Sequence, residues 1–592
     1  MDKSILVSQI EESIKAFVKN EWNEDLKVKA VDERSKVADL SSIVPKVIAG
    51  KVGMSPYEVG MKIVESIPKF PGIKNVIAED NGFINFYLDH DSFKSVLNSF
   101  DDEFGCNKVG NGKKVMVEFG QPNTHKALQL GHFKSAITGL AIARMYENNG
   151  YEVIKANYFG DIGLQVSNCI WGVINRNGTW YSKFGKEDLE EIKTNLATLI
   201  EDRGIDAAAL YLDQSYVFGR KLSSEKENVL EEVKDINKKI YDESDPLIMD
   251  LYHFTRDISI KHQDKAFKEL GVEYDVQYPE SVVWKLGKEI VLKNLDKVFV
   301  KDDGAIIFEG EKHGLQRWVF LTSAGFPSYS GKDLGLAVTK FKEYPDLDLA
   351  IVTTSVEQNA YFRALIKALE LVDPSFTGKY MHVGFGWLLF ENKKMSSKTG
   401  KNVKYTDLIE QAKGIAKSNI SNEKGYSEEE KEQIAHAVAM GALKFAILSH
   451  EFHKDINWDI DKFMSMSGFA APYILYSYAR GRSILDNCNY TKSDSINDLS
   501  GLLESEVEME LLKKLAEFPG ITEVAGKNLS PHMICRYVFE LSELFNRFYG
   551  EFNISSESDS RVKEVRLKLV DITTQTIKRS LYILGIDTVE QM

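Results

Sequence analysis

Compact apolar runs alternate with helical stripes in the middle of the chain. KKVMVEFG and YEVIKANYF predict buried strands, and the segment between them repeats apolar residues on one helical face, at Phe133, Ile137, Leu140 and Ala141. Gly150 is well placed to end that helix. LDLAIVTTS followed by VEQNAYFRALIKALELV repeats the order of strand and helix. This alternation predicts a parallel sheet of the nucleotide-binding type.

The two ends of the chain show different patterns. The first 105 residues or so mix helical stripes with one strand-like segment, GFINFYLD, and end in the Gly-rich EFGCNKVGNGKK, which indicates a domain boundary. Beyond about residue 425 the pattern is helical and opens with a capping box from Ser427 to Glu430. A later apolar stripe comprises Ile534, Tyr537, Val538, Leu541, Leu544, Phe545 and Phe548. The charged segment 177–245 is interpreted as connective helices.

These patterns predict a multidomain protein with α/β and all-α parts. A Rossmann-type parallel-sheet core is expected at 109–452, after a small α+β N-terminal domain at 1–108 and before a C-terminal helical bundle at 453–592. The chain has 592 residues, 43% of them hydrophobic, and a mean hydropathy of -0.26. It is therefore long enough for two to four soluble domains with sizeable cores.

Composition argues against several classes of protein. No apolar run approaches a membrane span, and the first 20 residues interleave apolar with charged residues, unlike a signal peptide, so a cytoplasmic location is expected. The four cysteines lie far apart without a CxxC pair, which predicts free thiols and no structural zinc. A net charge of -14 argues weakly against a general polyanion binder, although it is compatible with a local basic surface.

One chemically rich stretch, GQPNTHKALQLGHFKSAITG, precedes the first predicted helix of the sheet. A helix N-terminus attracts phosphate, Gly131 lets the backbone approach a ligand, and His132 can donate to a phosphate oxygen. Lys126 adds a full positive charge. This combination suits the charge that develops when ATP is attacked at its α-phosphate. A solvated loop explains the stretch about as well, because short motifs often match by chance.

A second basic segment, ENKKMSSKTGKNV, follows the strand-like GWLLF. It concentrates Lys393, Lys394, Lys398 and Lys401 with small polar residues. A mobile loop of this composition can close over a triphosphate and neutralise its leaving group. A solvated charge run is the commoner fate of such a segment.

Together the two segments resemble the paired signatures of the class I aminoacyl-tRNA synthetases. QLGH resembles the HIGH motif of that family, with Gln129 in place of its first His, and KMSSK resembles the KMSKS loop, with Ser397 in place of the second Lys. The resemblance implies that ATP binds at Gly131, His132, His382, Met395 and Ser396. It implies catalytic roles for Lys126, Gln129, His132, Lys394 and Lys398. A core-packed side chain is the alternative for His382.

The departure at Ser397 is typical of one branch of that family. Arginyl-tRNA synthetases commonly lack the loop lysine and carry one upstream of HIGH, in PN..KP.H.GH, and PNTHKALQLGH places Lys126 there. Lys398, one residue after Ser397, is the alternative source of this positive charge. The resemblance continues through VEFGQPN, NYFGDIGLQ, KELGVEYDVQYPES, YSGKDLG, TTSVEQ, HVGFG, APYILYSYAR and YILGIDTVEQM.

This resemblance implies an enzyme that activates L-arginine with ATP and transfers it to tRNA(Arg). ATP would enter as its Mg2+ complex, and family members generally need bound tRNA for the first step. We expect a monomer without a membrane partner. Two other classes stay open: another HxGH nucleotidyltransferase, and a catalytically silent tRNA-binding relative, which Gln129 keeps in play.

The resemblance also assigns an arginine pocket. Glu118, Tyr329 and Asp333 match positions around the guanidinium, and Asn123 and Gln358 match positions at the amino and carboxylate end. A guanidinium needs planar carboxylate partners, which suits these residue types. Taken singly, Glu118 is more readily explained as a strand-end surface carboxylate and Tyr329 as a loop aromatic. The family usually has YxTRD where this chain has YSGKD.

Contacts with tRNA are implied at both ends of the chain. The first 105 residues resemble the family's N-terminal domain, which approaches the tRNA elbow, and its GFxNF element makes Phe83 and Asn85 candidates for base contacts. PYILYSYAR matches PYxxYxxxR, which shapes the anticodon loop. It places Tyr473, Tyr476 and Arg480 on one helix face. Met592 matches a chain end that packs nearby, and core packing is the alternative for either tyrosine.

Overall fold

The N-terminal part of the chain is a three-stranded sheet covered by helices. The computed structural model describes residues 3–32, 38–70, 72–89, 94, 96–101, 103–390, 393–394, 405–420, 425–492, 499 and 502–592. The first elements are α1 (Lys3–Trp22), β1 (Leu40–Ser42), α2 (Val44–Val52), α3 (Pro56–Ser66), β2 (Ile73–Ala78), β3 (Ile84–Leu88) and α4 (Val96–Ser99). The sheet has the antiparallel order β1-β3-β2, and β3 confirms the strand predicted from GFINFYLD.

The middle of the chain alternates strands and helices. In order it contains β4 (Lys114–Glu118), α5 (Leu130–Asn148), β5 (Glu152–Phe159), α6 (Leu164–Arg176), α7 (Lys186–Arg203), α8 (Ile205–Glu225), α9 (Glu227–Asp242), α10 (Pro246–Glu269), β6 (Val276–Pro279), α11 (Glu280–Lys293), β7 (Val300–Asp302), β8 (Ala305–Phe308), β9 (Trp318–Leu321), α12 (Tyr329–Glu343), β10 (Leu347–Ser355), α13 (Asn359–Val372) and β11 (Tyr380–Phe385). The predicted strand, helix and strand around the first motif are therefore confirmed. Gly150, at φ 79°, follows the last residues of α5 as expected.

Five of these strands form one parallel sheet. Their order is β11-β10-β4-β5-β6, and every neighbouring pair runs parallel. The chain moves outward from β4 in one direction through β5 and β6, and then returns to the other side with β10 and β11. The strand order thus reverses between β4 and β10. In open sheets of this kind a ligand crevice forms at the carboxyl ends of the strands on either side of that reversal.

The predicted connective helices form a separate helical layer. Helices α6 to α10 pack around a core of their own. It includes the fully buried residues Ile170, Leu212, Val233, Ile236 and Leu251. They connect β5 to β6, which are neighbours in the sheet. A small antiparallel meander, β7-β8-β9, follows before α12. The insertion therefore stands beside the carboxyl edge of the sheet.

The last part of the chain is helical, as predicted. It contains β12 (Leu388–Phe390), β13 (Lys393–Lys394), α14 (Tyr405–Asn419), α15 (Glu428–Leu448), β14 (Ile456–Asn457), α16 (Ile460–Phe463), α17 (Ala471–Asn487), α18 (Glu506–Ala516), α19 (Phe518–Lys527), α20 (Pro531–Glu551) and α21 (Ser560–Ile583). The capping box of Ser427 and Glu430 is present at the start of α15. Most of the predicted stripe of α20 is buried.

A single hydrophobic core joins the N-terminal part, one face of the sheet and the bundle. None of the helices in the described part of the chain is long and apolar enough to span a membrane. All four cysteines are free thiols, as expected.

Candidate active site

The loop that follows β4 lies in the predicted crevice and is tied to the end of β5. The Thr124 amide donates to the Gly160 carbonyl at 2.9 Å, and the Gly160 amide donates to the Pro122 carbonyl at 3.2 Å. A Cβ atom at Gly160 would lie 2.2 Å from the side-chain oxygen of Asn123, so a larger residue at 160 would displace that side chain. These hydrogen bonds therefore fix the path of the loop backbone toward α5.

His132 lies in the first turn of α5 as a neutral hydrogen-bond donor. Its Nδ1 accepts the Gln129 amide at 3.0 Å, which leaves the proton of the neutral ring on Nε2. Burial and, to a lesser extent, the charge of Lys126 lower its pKa to about 4. At neutral pH the ring therefore presents an N–H group rather than a positive charge.

The neighbours of His132 leave space at the helix mouth. Gly131 is exposed, and apart from its chain neighbours and the backbone of its own helix no atom of the described residues lies within 4 Å of the point that its Cβ would occupy. The side chain of Gln129, the residue that departs from the HIGH motif, is exposed beside it. Lys126 lies close enough to affect His132 and is half-buried. The structure thus brings Lys126, Gln129, Gly131 and His132 together.

Glu118 already has a cationic partner. It ends β4, is 2% exposed, and pairs with the ammonium of Lys340 on α12, which is 0% exposed. Gln121 Nε2 also donates to its Oε1 at 2.9 Å. Its assignment as a surface carboxylate is therefore excluded. A direct contact with a guanidinium stays a prediction, because Lys340 occupies one carboxylate oxygen.

Asp333, in the first turn of α12, has no such partner. Its carboxylate accepts the hydroxyl of Tyr361, and no lysine or arginine in the described part of the chain pairs with it. Burial raises its pKa to about 7, the Tyr361 hydrogen bond opposes that shift, and the charges of Glu118 and Glu280 add to it. Asp333 is thus a carboxyl group at the edge of the crevice that no described cation compensates when it is ionised.

The charges around Asp333 are unequal in number. Glu280, which is 3% exposed, pairs with Lys332 at 2.7 Å, just as Glu118 pairs with Lys340. Three carboxylates therefore face two ammonium groups. The buried hydroxyl of Tyr158 lies close enough to Asp333 to lower the pKa of that carboxyl, although less than burial raises it. One bound cation with hydrogen-bond donors would satisfy this site.

The remaining predicted arginine residues lie around the same edge. Tyr329 begins α12 and is 62% exposed. Gln358 is exposed in the short turn that follows β10. Asn123 lies in the loop, where its carbonyl accepts Gln263 Nε2 at 2.9 Å. These placements agree with a pocket that is lined from β4, α12 and β10, but they assign no individual role.

The positions of His382 and of the KMSSK segment do not establish a contact with ATP. The His382 ring stacks on Phe362 with centroids 4.2 Å apart, and its Nε2 lies 2.7 Å from Thr354 Oγ1. Burial lowers its pKa to about 4. These contacts are those of a packed side chain, so its role near adenosine stays a prediction. Lys394 lies on β13, whereas Met395, Ser396 and Lys398 lie outside the described residues.

The bundle carries a stacked cation on α17. The Arg480 guanidinium lies 4.6 Å from the ring centroid of Tyr476 and 4.7 Å from that of Tyr549. Its Nη1 donates to Asn546 Oδ1 at 2.6 Å. Tyr476 and Tyr549 remain 37% and 43% exposed, so this array faces outward. Tyr473, by contrast, packs against Phe539 at 5.4 Å.

Met592 lies beside this array. It lines a cavity of about 190 Å³ with Tyr476, and the other lining residues come from α14 and the residue after it, from α15, and from α17 and the segment before it. The tail is tied to α17 because Tyr478 donates to Glu590 Oε1 at 2.8 Å. Two residues that were predicted to contact tRNA therefore share one cavity.

The N-terminal candidates differ in accessibility. Phe83 is half-buried, with the Lys46 ammonium 4.0 Å from its ring centroid. Asn85 is only 4% exposed, and its Nδ2 donates to Glu79 at 3.0 Å. The structure therefore offers Phe83 to a partner more readily than Asn85, and the contact that was predicted for Asn85 gains no support.

Several residues of the site were missed by the sequence reasoning. They are Lys340, Lys332, Glu280 and Tyr361 around Asp333, and Asn546 and Tyr549 beside Arg480. Helical spacing offered one signal, since Lys340 lies two turns after Asp333 in α12. Glu280 and Lys332 lie within YPES and YSGKD, two segments that resemble the family, but the resemblance assigns them no role. No local pattern indicates Tyr549, which lies in another helix.

Comparisons with known proteins agree with this architecture. Residues 4–88 match the family described as the arginyl tRNA synthetase N terminal domain, residues 95–460 match tRNA synthetases class I (R), catalytic domain, and residues 474–592 match the DALR anticodon binding domain. An arginine–tRNA ligase of Clostridium acetobutylicum is 30% identical over 86% of both chains, and one of Clostridium beijerinckii is 28% identical over 99% of both.

Solved structures show the same fold. An arginyl-tRNA synthetase of Plasmodium falciparum superposes with a TM-score of 0.77 at 20% identity and covers 99% of both chains. The arginyl-tRNA synthetase of Thermus thermophilus gives a TM-score of 0.74 at 21% identity, covering 99% of this chain and 100% of the other.

Proposed function

The chain belongs to the class I arginyl-tRNA synthetases, and from this premise we propose which residues carry out its reaction. The enzyme is an arginine–tRNA ligase. It activates L-arginine with ATP to arginyl-adenylate and pyrophosphate, and then transfers the arginyl group to the 3' end of tRNA(Arg) with release of AMP. The catalytic-domain match over residues 95–460 favours this enzyme over a silent tRNA-binding relative.

The unpaired charge of Asp333 carries our assignment of the arginine pocket. Asp333 binds the guanidinium, and Glu118 contributes from β4 while Lys340 holds its other side. Two lysines compensate Glu118 and Glu280, so the pocket keeps one net negative charge for one guanidinium. The exposed Tyr329 covers the side chain, and Asn123 and Gln358 bind the amino and carboxylate end.

Activation takes place at the mouth of α5. The Nε2–H group of His132 and the free amides of the first helical turn donate to the phosphates, and Gly131 lets ATP approach. Lys126 supplies the charge that Ser397 cannot supply. Gln129, His382, Lys394, Met395, Ser396 and Lys398 complete the nucleotide site. Mg2+ enters with ATP as part of the substrate.

Each of the three parts of the chain has its own task when tRNA binds. Residues 1–108 bind the elbow through Phe83, residues 109–452 carry out catalysis, and residues 453–592 bind the anticodon loop. The stacked Tyr476 and Arg480, with Tyr473 and Met592 beside them, present aromatic and cationic surface to unpaired bases. We assign the enzyme a monomeric state and a cytoplasmic location.

The Asp333→Asn variant tests the arginine pocket. Loss of one partner of a buried charge pair costs about 2–5 kcal/mol, so the arginine KM should rise about thirtyfold or more while the ATP KM changes little. The measurement is arginine-dependent exchange of pyrophosphate into ATP with tRNA present. Asp346→Asn is the matched control, since Asp346 pairs with Lys114 at the opposite end of β4. An unchanged arginine KM in Asp333→Asn would place the guanidinium elsewhere.

A further inference from the structure

Lys126 is held by a residue of the helical insertion. Its ammonium lies 4.5 Å from the ring centroid of Tyr216, in the middle of α8. Tyr216 is 8% exposed, and its hydroxyl accepts Arg220 Nη1 at 3.2 Å, which fixes the ring. An ammonium at this distance over a tyrosine face is attracted by the ring quadrupole. Contact with Tyr216 thus restricts a side chain that would otherwise sample many rotamers.

The same helix also holds the backbone next to Lys126. The Ala127 amide donates to Asp213 Oδ1 at 2.9 Å, across 86 residues of sequence. Asp213 precedes Tyr216 by one helical turn, so both side chains lie on one face of α8. The side chain of residue 126 and the peptide that follows it are therefore anchored to one rigid element.

Helix α8 is itself locked in place. A Cβ atom at Gly172 of α6 would lie 2.0 Å from the Ser215 carbonyl, and one at Gly219 would lie 2.0 Å from the Asn168 carbonyl. The two helices therefore approach with their backbones in contact at two levels. Such close packing leaves α8 little freedom to slide or rotate.

The aromatic contact with Tyr216 leaves the positive charge of Lys126 without a neutralising partner in the described part of the chain. Among the residues that the structure describes, no carboxylate pairs with the Lys126 ammonium. A carboxylate would fix the lysine and neutralise it at the same time, whereas an aromatic face fixes it and leaves the net charge in place. The ammonium remains available to a polyphosphate.

We propose that Tyr216 and Asp213 are positioning residues for adenylate formation, which aim Lys126 at the triphosphate of ATP. This inference rests on the proposed role of Lys126. It gives the insertion a part in the first chemical step, in addition to connecting β5 to β6.

The test is single-turnover adenylate formation at saturating arginine, ATP and tRNA. Tyr216→Leu should lower the rate about three- to thirtyfold with a small change in ATP KM, whereas Tyr216→Phe, which keeps the ring, should stay within about twofold of wild type. Asp213→Ala should slow the step in the same range, and Asp213→Asn should not, because its amide oxygen still accepts the Ala127 amide. Tyr211→Leu is the matched control, since Tyr211 lies on α8 but stacks on Arg176 at 4.5 Å.

A double mutant separates positioning from general damage. If Tyr216 acts through Lys126, Tyr216→Leu should add less than about a twofold loss to Lys126→Met. A defect that multiplies in the double mutant would overturn the proposal, and so would a normal rate in Tyr216→Leu. A normal rate in Lys126→Met would overturn the role of Lys126 itself. A slow Lys126→Met beside a normal Tyr216→Leu would overturn the positioning alone.

Discussion

At the scale of single residues, the active site is organised by which charges have partners. Glu118 and Glu280 each have a buried lysine, while Asp333 has a tyrosine hydroxyl and no cation in the described structure. His132 is neutral because burial and the nearby Lys126 disfavour its charged form. The proposed arginine pocket therefore holds three carboxyl groups and two lysines, and the proposed nucleotide site has its positive charge on Lys126 rather than on His132.

The raised pKa of Asp333 predicts a pH dependence of arginine binding. Burial brings its pKa to about 7 in the free enzyme, and a guanidinium requires the ionised carboxylate. Binding therefore releases a proton below that pH, and the arginine affinity should fall by up to about tenfold per pH unit below 7 and level off above 8. His132 and His382, with pKa values lowered to about 4, do not titrate in this window.

Calorimetric titration with arginine between pH 6 and pH 9 provides the measurement. The number of protons released should approach one at the acid end and zero at the basic end. Lys126→Met should show the same profile, because Lys126 is assigned to the proposed nucleotide site and not to the arginine pocket. A flat profile in wild type would mean that another carboxylate receives the guanidinium.

Lys126→Met should lower the rate of adenylate formation by about 10²–10³ with a smaller change in ATP affinity. The reason is that negative charge shifts toward the departing pyrophosphate as the bond to the α-phosphate breaks, so a fixed cation stabilises the transition state more than bound ATP. Rapid-quench measurement of adenylate formation separates the change in rate from the change in ATP affinity. Lys398→Met is the comparison variant: full activity in Lys126→Met and collapse in Lys398→Met would assign the charge to the loop.

At the scale of elements, α17 presents a cation between two aromatic rings from different helices. Arg480 contacts Tyr476 one turn away in α17 and Tyr549 in α20. Asn546 joins the two helices, because it accepts from Arg480 and donates to Ser477 at 2.8 Å. The array is thus part of the packing between α17 and α20, yet its outer surface is open to a partner.

Arg480→Ala should weaken tRNA binding by about 1–3 kcal/mol, because the guanidinium supplies both stacking surface and charge to unpaired bases. Filter binding with tRNA(Arg) at fixed salt measures the change. Arg547→Ala serves as control: Arg547 lies on α20 but pairs with Glu510 at 2.8 Å on the surface. If circular dichroism shows that the bundle of Arg480→Ala has melted, Arg480 acts through packing and the recognition role is wrong.

The elements of this fold could be predicted because their signals are local. Strands β4 and β5 and helix α5 follow from apolar periodicity, and the start of α15 follows from one capping box. The tertiary partners could not be predicted in this way. Lys340 and Asp333 share a helix, so spacing alone hints at their proximity, but the pairing of Lys340 with Glu118 depends on how α12 packs on the sheet.

The same limit applies to the candidate site. The motif around Lys126 is visible in sequence, whereas its contact with Tyr216 requires that the insertion fold back onto the loop. A tyrosine in the middle of an amphipathic helix carries no signal that distinguishes such a contact from ordinary packing. Likewise, the burial of Asn85 follows from the central place of β3 in its sheet, which one strand alone does not indicate.

At the scale of the whole molecule, polar contacts join the two ends of the chain to each other and to the end of α5, in addition to the shared core. Lys513 of α18 pairs with Asp39 in the N-terminal part. Asn107, between the N-terminal part and β4, donates to Asn149 at 3.0 Å, to the Pro519 carbonyl at 3.1 Å and to Thr522 at 3.0 Å. The bundle is therefore fastened at the far end of α5, opposite the active site.

Asn107→Ala should lower the free energy of unfolding by about 1–3 kcal/mol, because Asn149 and Thr522 lose a partner inside the interface. Urea denaturation that is followed by tryptophan fluorescence and circular dichroism measures the loss. Asn195→Ala is the control, since Asn195 is exposed on α7. Equal stability of the two variants would mean that water replaces the Asn107 contacts.

Helix α5 has fixed contacts at both ends, and this constrains how its length can change. His132 lies at the proposed nucleotide site at one end, while at the other Asn148 donates to the Gly105 carbonyl at 2.7 Å and accepts from Arg579 at 3.1 Å. The two residues lie about 24 Å apart along the axis. One inserted residue between them would turn one end by about 100° relative to the other and shift it by about 1.5 Å. A one-residue insertion or deletion within α5 would therefore break the contacts at one of its two ends, whereas a change of length in the flanking loops would leave both sets of contacts in place.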